Sequence, residues 1–221
     1  MKAYVMILAG GLLAVGCGGR NEPAEQRAPM SPPAATVRDT TPSAAAGGDM
    51  HHDMQAMNDR MLSMLGPDDG AYEHRFIDTM IPHHEGAILM AKHAIDYANR
   101  PELKKLAQDI IDSQAKEIES MKMWRLEWYG ASADDAMPNG SGMMSDMQAM
   151  NQMMVQQLGV RDTAYERRFI DLMIPHHEGA IAMAQDALQK AHRPELKALA
   201  KRIIAGQQQE IAQMEVWRKQ W

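Results

Sequence analysis

The 221-residue sequence has a single cysteine, Cys17, so no intramolecular disulfide can staple it. It lacks an excess of positive charge. The formal net charge of −6 argues against a nucleic-acid partner, which would want a basic face. Past the first seventeen residues it lacks any run of the roughly 20 apolar residues that a membrane-spanning helix needs. No segment alternates apolar and polar residues as a half-buried strand would. Zinc-finger, P-loop and Rossmann patterns are also missing.

The N-terminal stretch is read as a signal segment rather than as part of the fold. Lys2 supplies one positive charge, an apolar run follows, and Ala14-Val15-Gly16-Cys17 is similar to a bacterial lipobox whose cysteine is lipidated. Residues 1–17 are therefore expected to be a lipoprotein signal. Residues 18–48 are rich in Pro, Ala, Thr and Ser, with hardly any large apolar side chain, and are expected to form a disordered linker. The expected location is the cell envelope, facing the periplasm or exterior, with the membrane a partner through the lipid anchor.

A shift of 93 positions superimposes residues 53–128 on 146–221 without a gap. Two tandem repeats follow, residues 49–129 and 143–221, joined by a linker at 130–142. Each begins with a methionine-rich helix. The first, residues 49–65, carries Met50, Met54, Met57, Met61 and Met64 on one face and stops at Gly66-Pro67; the second repeats this with Met143, Met147, Met150 and Met154. Two longer amphipathic helices come next, from about Asp68 to Ala98 and from Pro101 to Trp128, with their counterparts in the second copy. Pro82 either kinks the first of them or starts a new helix. The short turn at Asn99-Arg100 makes each pair a helical hairpin. The fold class is all-α, a bundle of two tandem hairpin repeats. Whether hairpins pair within one chain or between chains, as a homo-oligomer, stays open.

The polar residues inside these helices carry the chemistry. On a helical wheel Phe76, Met80, Ala87, Ala91 and Ala94 face the core, with His83 and His84 beside them. Gln114 and Glu117 lie beside the apolar face of the next helix. His176, His177, Gln207 and Glu210 repeat the set. His74, His93 and His192 change identity between copies, as solvated positions would. A buried imidazole or carboxylate without a partner costs several kcal/mol, so the shared groups should pair with each other or with an ion.

Three readings compete: a hydrogen-bonded core network that fixes register, a metal site, and a catalytic acid–base pair. The last lacks an accompanying nucleophile or cleft signature. For the second, imidazole with the thioethers of Met80, Met90 and Met121 suits Cu(I), and imidazole with carboxylate accepts Cu(II) or Zn(II). A di-iron site is excluded, because Glu85 is followed three residues on by Ile88 and Glu117 by Ser120, where Glu-x-x-His is required. The chain's 22 methionines far exceed ordinary use. Asn58, shared with Asn151, is assigned no ligand role.

The stretches FIDTMIPHHEGAILMA (residues 76–91) and FIDLMIPHHEGAIAMA (residues 169–184), with Gln-x-x-Glu-Ile-x-x-Met at 114–121 and 207–214, resemble the signature of the bacterial family called domain of unknown function 305. The resemblance implies a ferritin-like helical bundle, export from the cytoplasm and, for some members, copper binding through methionine and histidine. It places the motif's residues at His83, His84, Met80 and Met90, and at His176, His177, Met173 and Met183. Met121 and Met214 join these as expected metal ligands. Gln114, Glu117, Gln207 and Glu210 are expected to stand behind the imidazoles, with Glu117 and Glu210 orienting them or serving as occasional ligands. The function expected is an envelope-anchored protein that sequesters or hands on copper rather than turning over a substrate, with no organic cofactor. The alternative is a metal-free interaction scaffold of the envelope stress response.

Overall fold

The computed structural model describes residues 46–130 and 140–221. Cys17 and its leader, the Pro/Ala-rich stretch before Ala46 and residues 131–139 lie outside the described residues, as do the side chains of Met50 and Met143. Six helices follow one another: α1 Ala46–Leu65, α2 Tyr72–Tyr97, α3 Pro101–Tyr129, α4 Gly140–Leu158, α5 Tyr165–Lys190 and α6 Pro194–Gln220. No strand occurs among the described residues, so the fold is all-α. No helix among them is long and apolar enough to cross a membrane.

The helix ends follow from local chemistry. Gly66 and Gly159 adopt φ of 66° and 65°, the left-handed conformation that closes α1 and α4. Arg75 Nε then donates to the terminal carbonyl of Leu65 at 2.7 Å, and Arg168 Nε to that of Leu158 at 2.9 Å. α2 begins four residues later than its sequence suggests. The Asp69 carboxylate accepts from the Ala71 amide at 2.9 Å and from Arg75, which holds residues 68–71 in a turn. Pro101 and Pro194 occupy first helical turns, where a missing N–H costs nothing. Pro82 and Pro175 break neither helix; α2 and α5 run through them.

The hairpins pair within the chain. α2 and α5 lie antiparallel at the centre, α3 packs on α2, and α6 packs on α5. The methionine-rich helices cross over: α1 rests mainly on α5 of the other repeat, and α4 on α2. Two apolar clusters result, each drawn from both repeats. One joins Phe76, Met80 and Met121 to Met183, Ala187 and Leu199; the other joins Phe169, Met173 and Met214 to Met90, Ala94 and Leu106.

Two carboxylates complete the exchange. Glu73 Oε1 accepts from the amides of His192 and Arg193 at 2.8 and 2.7 Å, just ahead of α6. Glu166 Oε1 does the same for Asn99 and Arg100 at 2.6 and 3.0 Å, ahead of α3. Each is buried, and each places negative charge at the positive end of a helix dipole belonging to the other repeat.

Because every core cluster needs both repeats, a fragment of residues 42–130 should not fold as a monomer. Sedimentation and circular dichroism should show either an unfolded chain or a symmetric dimer; a folded monomer would contradict the architecture.

Candidate functional site

The antiparallel crossing of α2 and α5 brings the two Pro-His-His turns face to face. The rings of His83 and His176 meet with centroids 3.9 Å apart and planes tilted by 39°. Both are 3% exposed, and His84 and His177 are fully buried. The two histidines of each pair point apart, with centroids separated by 6.4 Å. His84 Nε2 lies 2.8 Å from Glu117 Oε2, and His177 Nε2 lies 2.7 Å from Glu210 Oε2. His83 has no such partner. Neither of its ring nitrogens is hydrogen-bonded, nor is Nδ1 of His176.

His83 and His176 form the end of a cavity of about 20 Å³, room for one water-sized species. Its walls are thioethers. Met54, Met57 and Met61 come from α1, and Met147, Met150 and Met154, the matching residues of the second repeat, come from α4. Burial, reinforced by the neighbouring imidazoles, holds the pKa of both histidines well below the usual value. They are therefore neutral at physiological pH, each with a free nitrogen lone pair. Imidazole nitrogen and thioether sulfur, both uncharged, form a donor set for a soft cation. Among the described residues no three His, Cys, Asp or Glu side chains converge as a metal cluster.

The methionines of the motif lie elsewhere. Met80, Met121 and Met183 sit in one apolar cluster and Met90, Met173 and Met214 in the other, all with no exposure. Gln114 and Gln207 are buried, and Glu117 and Glu210 lie beside the imidazoles as expected. Of the histidines expected at solvated positions, one is buried and one half-buried. His74 is 4% exposed and stacks on Tyr129 at 4.2 Å, while His93 bonds to the Tyr165 hydroxyl at 2.8 Å. The second repeat replaces them with Arg167 and Asp186, which make their own contacts, to Asp171 and to the Tyr72 hydroxyl. His192 is exposed.

Asn58 and Asn151, given no role from the sequence, help build the cavity. Asn151 Nδ2 donates to the Pro82 carbonyl at 3.0 Å, and Asn58 Nδ2 to that of Pro175 at 2.8 Å. Proline loosens the hydrogen-bond ladder around it and leaves room for a donor from outside. Glycine four residues later makes the approach feasible. A Cβ on Gly86 would stand 2.2 Å from Asn151 Oδ1, and one on Gly179 equally close to Asn58 Oδ1. The signal was present in the sequence as a Pro-His-His-Glu-Gly turn and an asparagine kept in both repeats.

The sequence profile described as Domain of unknown function (DUF305) matches residues 24–125 and 73–218. The chain belongs to the DUF305 family. The fold is similar to that of CopM in its Cu(II)-bound form, with 39% identity, 67% of this chain and 97% of that one covered, and a TM-score of 0.53. CopM has also been solved in Cu(I)-bound, Ag-bound and apo forms. A DUF305 fragment from Deinococcus radiodurans is 28% identical over 70% of this chain and 99% of its own, with a TM-score of 0.57. An uncharacterized protein, L153, of Acanthamoeba polyphaga mimivirus is 43% identical over 49 residues; the match spans 22% of this chain and 32% of that protein.

Two outcomes follow from this geometry. Gly86→Ala or Gly179→Ala should lower stability by about 1–3 kcal/mol through overpacking against the asparagine, read as a lower Tm. Stability should also fall as the pH drops below about 6.5, where the unfolded chain protonates its histidines while folded His83 and His176 stay neutral. Each pH unit then costs about 1.4 kcal/mol per histidine until the folded pKa is reached. Urea midpoints compared between about pH 7.5 and pH 5 should show the loss, and His83→Gln with His176→Gln should reduce it.

Proposed function

We propose that the chain binds copper as cargo, holding Cu(I) in the thioether–imidazole cavity so as to sequester it or hand it on. The observation that carries this reading is the pair of neutral, buried histidines with unpartnered nitrogens at the end of a cavity walled by six methionines. An imidazole nitrogen buried without a partner costs about 1–3 kcal/mol, which packing alone gives no reason to retain in both repeats. Thioethers need no deprotonation, so such a site keeps its ligands in a mildly acidic compartment where thiolates would be lost. The similarity to CopM, solved with Cu(I), Cu(II) and Ag bound, supports the same assignment.

Within this reading His83 and His176 are ligands, together with methionines of α1 and α4. His84 and His177 stay with their carboxylates, and the motif methionines brace the helices that present the histidines. Because α1 and α4 reach the cavity from different repeats, one ion is shared by both. The lipobox-like Cys17 would tether the protein to a membrane of the cell envelope, with the Pro/Ala-rich stretch as a spacer.

Titration of the purified lipid-free chain with Ag(I), or with Cu(I) under reducing conditions, against a competing chelator tests the proposal. About one ion per chain should bind. His83→Ala with His176→Ala, or Met54→Leu with Met147→Leu, should weaken binding at least about ten-fold, or 1.4 kcal/mol. A stoichiometry near zero, or an affinity indifferent to the histidines, would leave the cluster as a metal-free device for setting helix register.

A further inference from the structure

Between their midpoints α3 and α6 leave a groove of about 360 Å³, a volume within the range of small-molecule sites. Gln114 lines it from α3 and Gln207 from α6, the same position of the two repeats. The glutamines are 2% and 4% exposed, yet neither the nitrogen nor the oxygen of either amide has a hydrogen-bond partner. The neighbouring hydroxyls do not serve them. Ser113 and Ser120 donate to carbonyls of their own helix, those of Ile110 and Lys116, at 3.2 and 3.0 Å. Stranded buried amides destabilise a fold, and leucine would fill the same space without that penalty.

Gly206 supplies a second sign. It stands inside α6 where the first repeat has Ser113, and a Cβ there would meet nothing within 4 Å. No close packing demands a glycine at this position, and glycine weakens a helix interior relative to alanine. Its effect is to leave the groove unfilled.

The lining selects what would enter. Lys116 and Arg202 bring positive charge, and Glu117 and Glu210 match it with negative charge, so neither a net anion nor a net cation is favoured. Both glutamates keep 15% of their side chains open to solvent. A primary amide offers donors and an acceptor together, and one stands on each wall. A trans peptide group carries its C=O and N–H on opposite edges, so one glutamine can donate to the oxygen while the other accepts from the nitrogen.

We propose that the groove binds a short peptide with free ends, whose backbone amide is clasped between Gln114 and Gln207. Its ammonium end meets Glu117 or Glu210, and its carboxylate end meets Lys116 or Arg202. α3 lines the groove from Ser113 to Ser120 and α6 from Arg202 to Glu210, roughly 10–12 Å along their axes. Three extended residues span at most about 11 Å, which sets the length. No metal ion takes part, and none of this rests on the methionine cavity binding one.

Trialanine is the probe, with EDTA present so that no chelated ion reports in its place. Calorimetric titration of the purified chain should show saturable binding. Gln114→Leu with Gln207→Leu should weaken it at least about ten-fold and raise Tm, because the stranded amides are gone. Gly206→Leu fills the groove from a position with open space, so it should preserve the fold and weaken the peptide equally. Trialanine with both ends blocked should bind at least about ten-fold more weakly than the free peptide. Absence of saturable binding, affinity indifferent to the glutamines or to Gly206, equal binding of the blocked peptide, or a Tm that falls when both glutamines are replaced would overturn the proposal and leave the amides to water.

Discussion

The structure depends on the antiparallel contact between α2 and α5, where two histidines with no hydrogen-bonding partner for their inner nitrogens are pressed ring to ring. Everything else is arranged around the cost of that contact. The apolar clusters on either side supply the burial that offsets it, and each takes Phe, Met and Ala from one repeat and Leu, Ala and Met from the other. The exchanged carboxylates Glu73 and Glu166 fix the far ends of the bundle by capping the helix of the opposite repeat. A core optimised for stability alone would put leucine where His83 and His176 stand.

Much of this was legible in the sequence, and the reason is the repeat. Comparing the two copies separated His83, His84, Gln114 and Glu117, which keep their identity, from His192, which is exposed and replaces asparagine. Helical periodicity placed Phe76, Met80, Ala87 and Ala91 in the core, and glycine and proline marked the ends of α1 and the start of α3. Which helix covers which could not be read, because a wheel shows that a face is apolar and not what it faces. The motif methionines therefore looked like the ligands, whereas it is the methionines of α1 and α4 that line the cavity beside the histidines of α2 and α5. Glu73 and Glu166 passed unnoticed for the same reason, since their partners lie more than sixty residues away. His74 changed identity between repeats and still proved to be buried, and His93 half-buried against Tyr165, so divergence alone is a poor guide to exposure.

The two adjacent histidines of each motif do different work because consecutive helical residues point about 100° apart. His83 and His176 turn toward sulfur, His84 and His177 toward carboxylate. One dipeptide thus serves two surroundings, one lined by thioethers, the other by a carboxylate. This division explains why the pair is written as a pair and why an acidic residue recurs on the following helix.

The notch formed by Gly86 and Gly179 has a mechanical consequence. With the amide of Asn151 or Asn58 hooked beneath a proline carbonyl and seated where a methyl group would otherwise be, α4 and α1 are keyed in rotation and height like a pin in a slot. Neither helix can slide by a turn to offer a different set of sulfurs. The spacing of the sulfurs around the cavity is thereby set by the backbone, through two asparagine hooks rather than by the flexible thioether chains themselves.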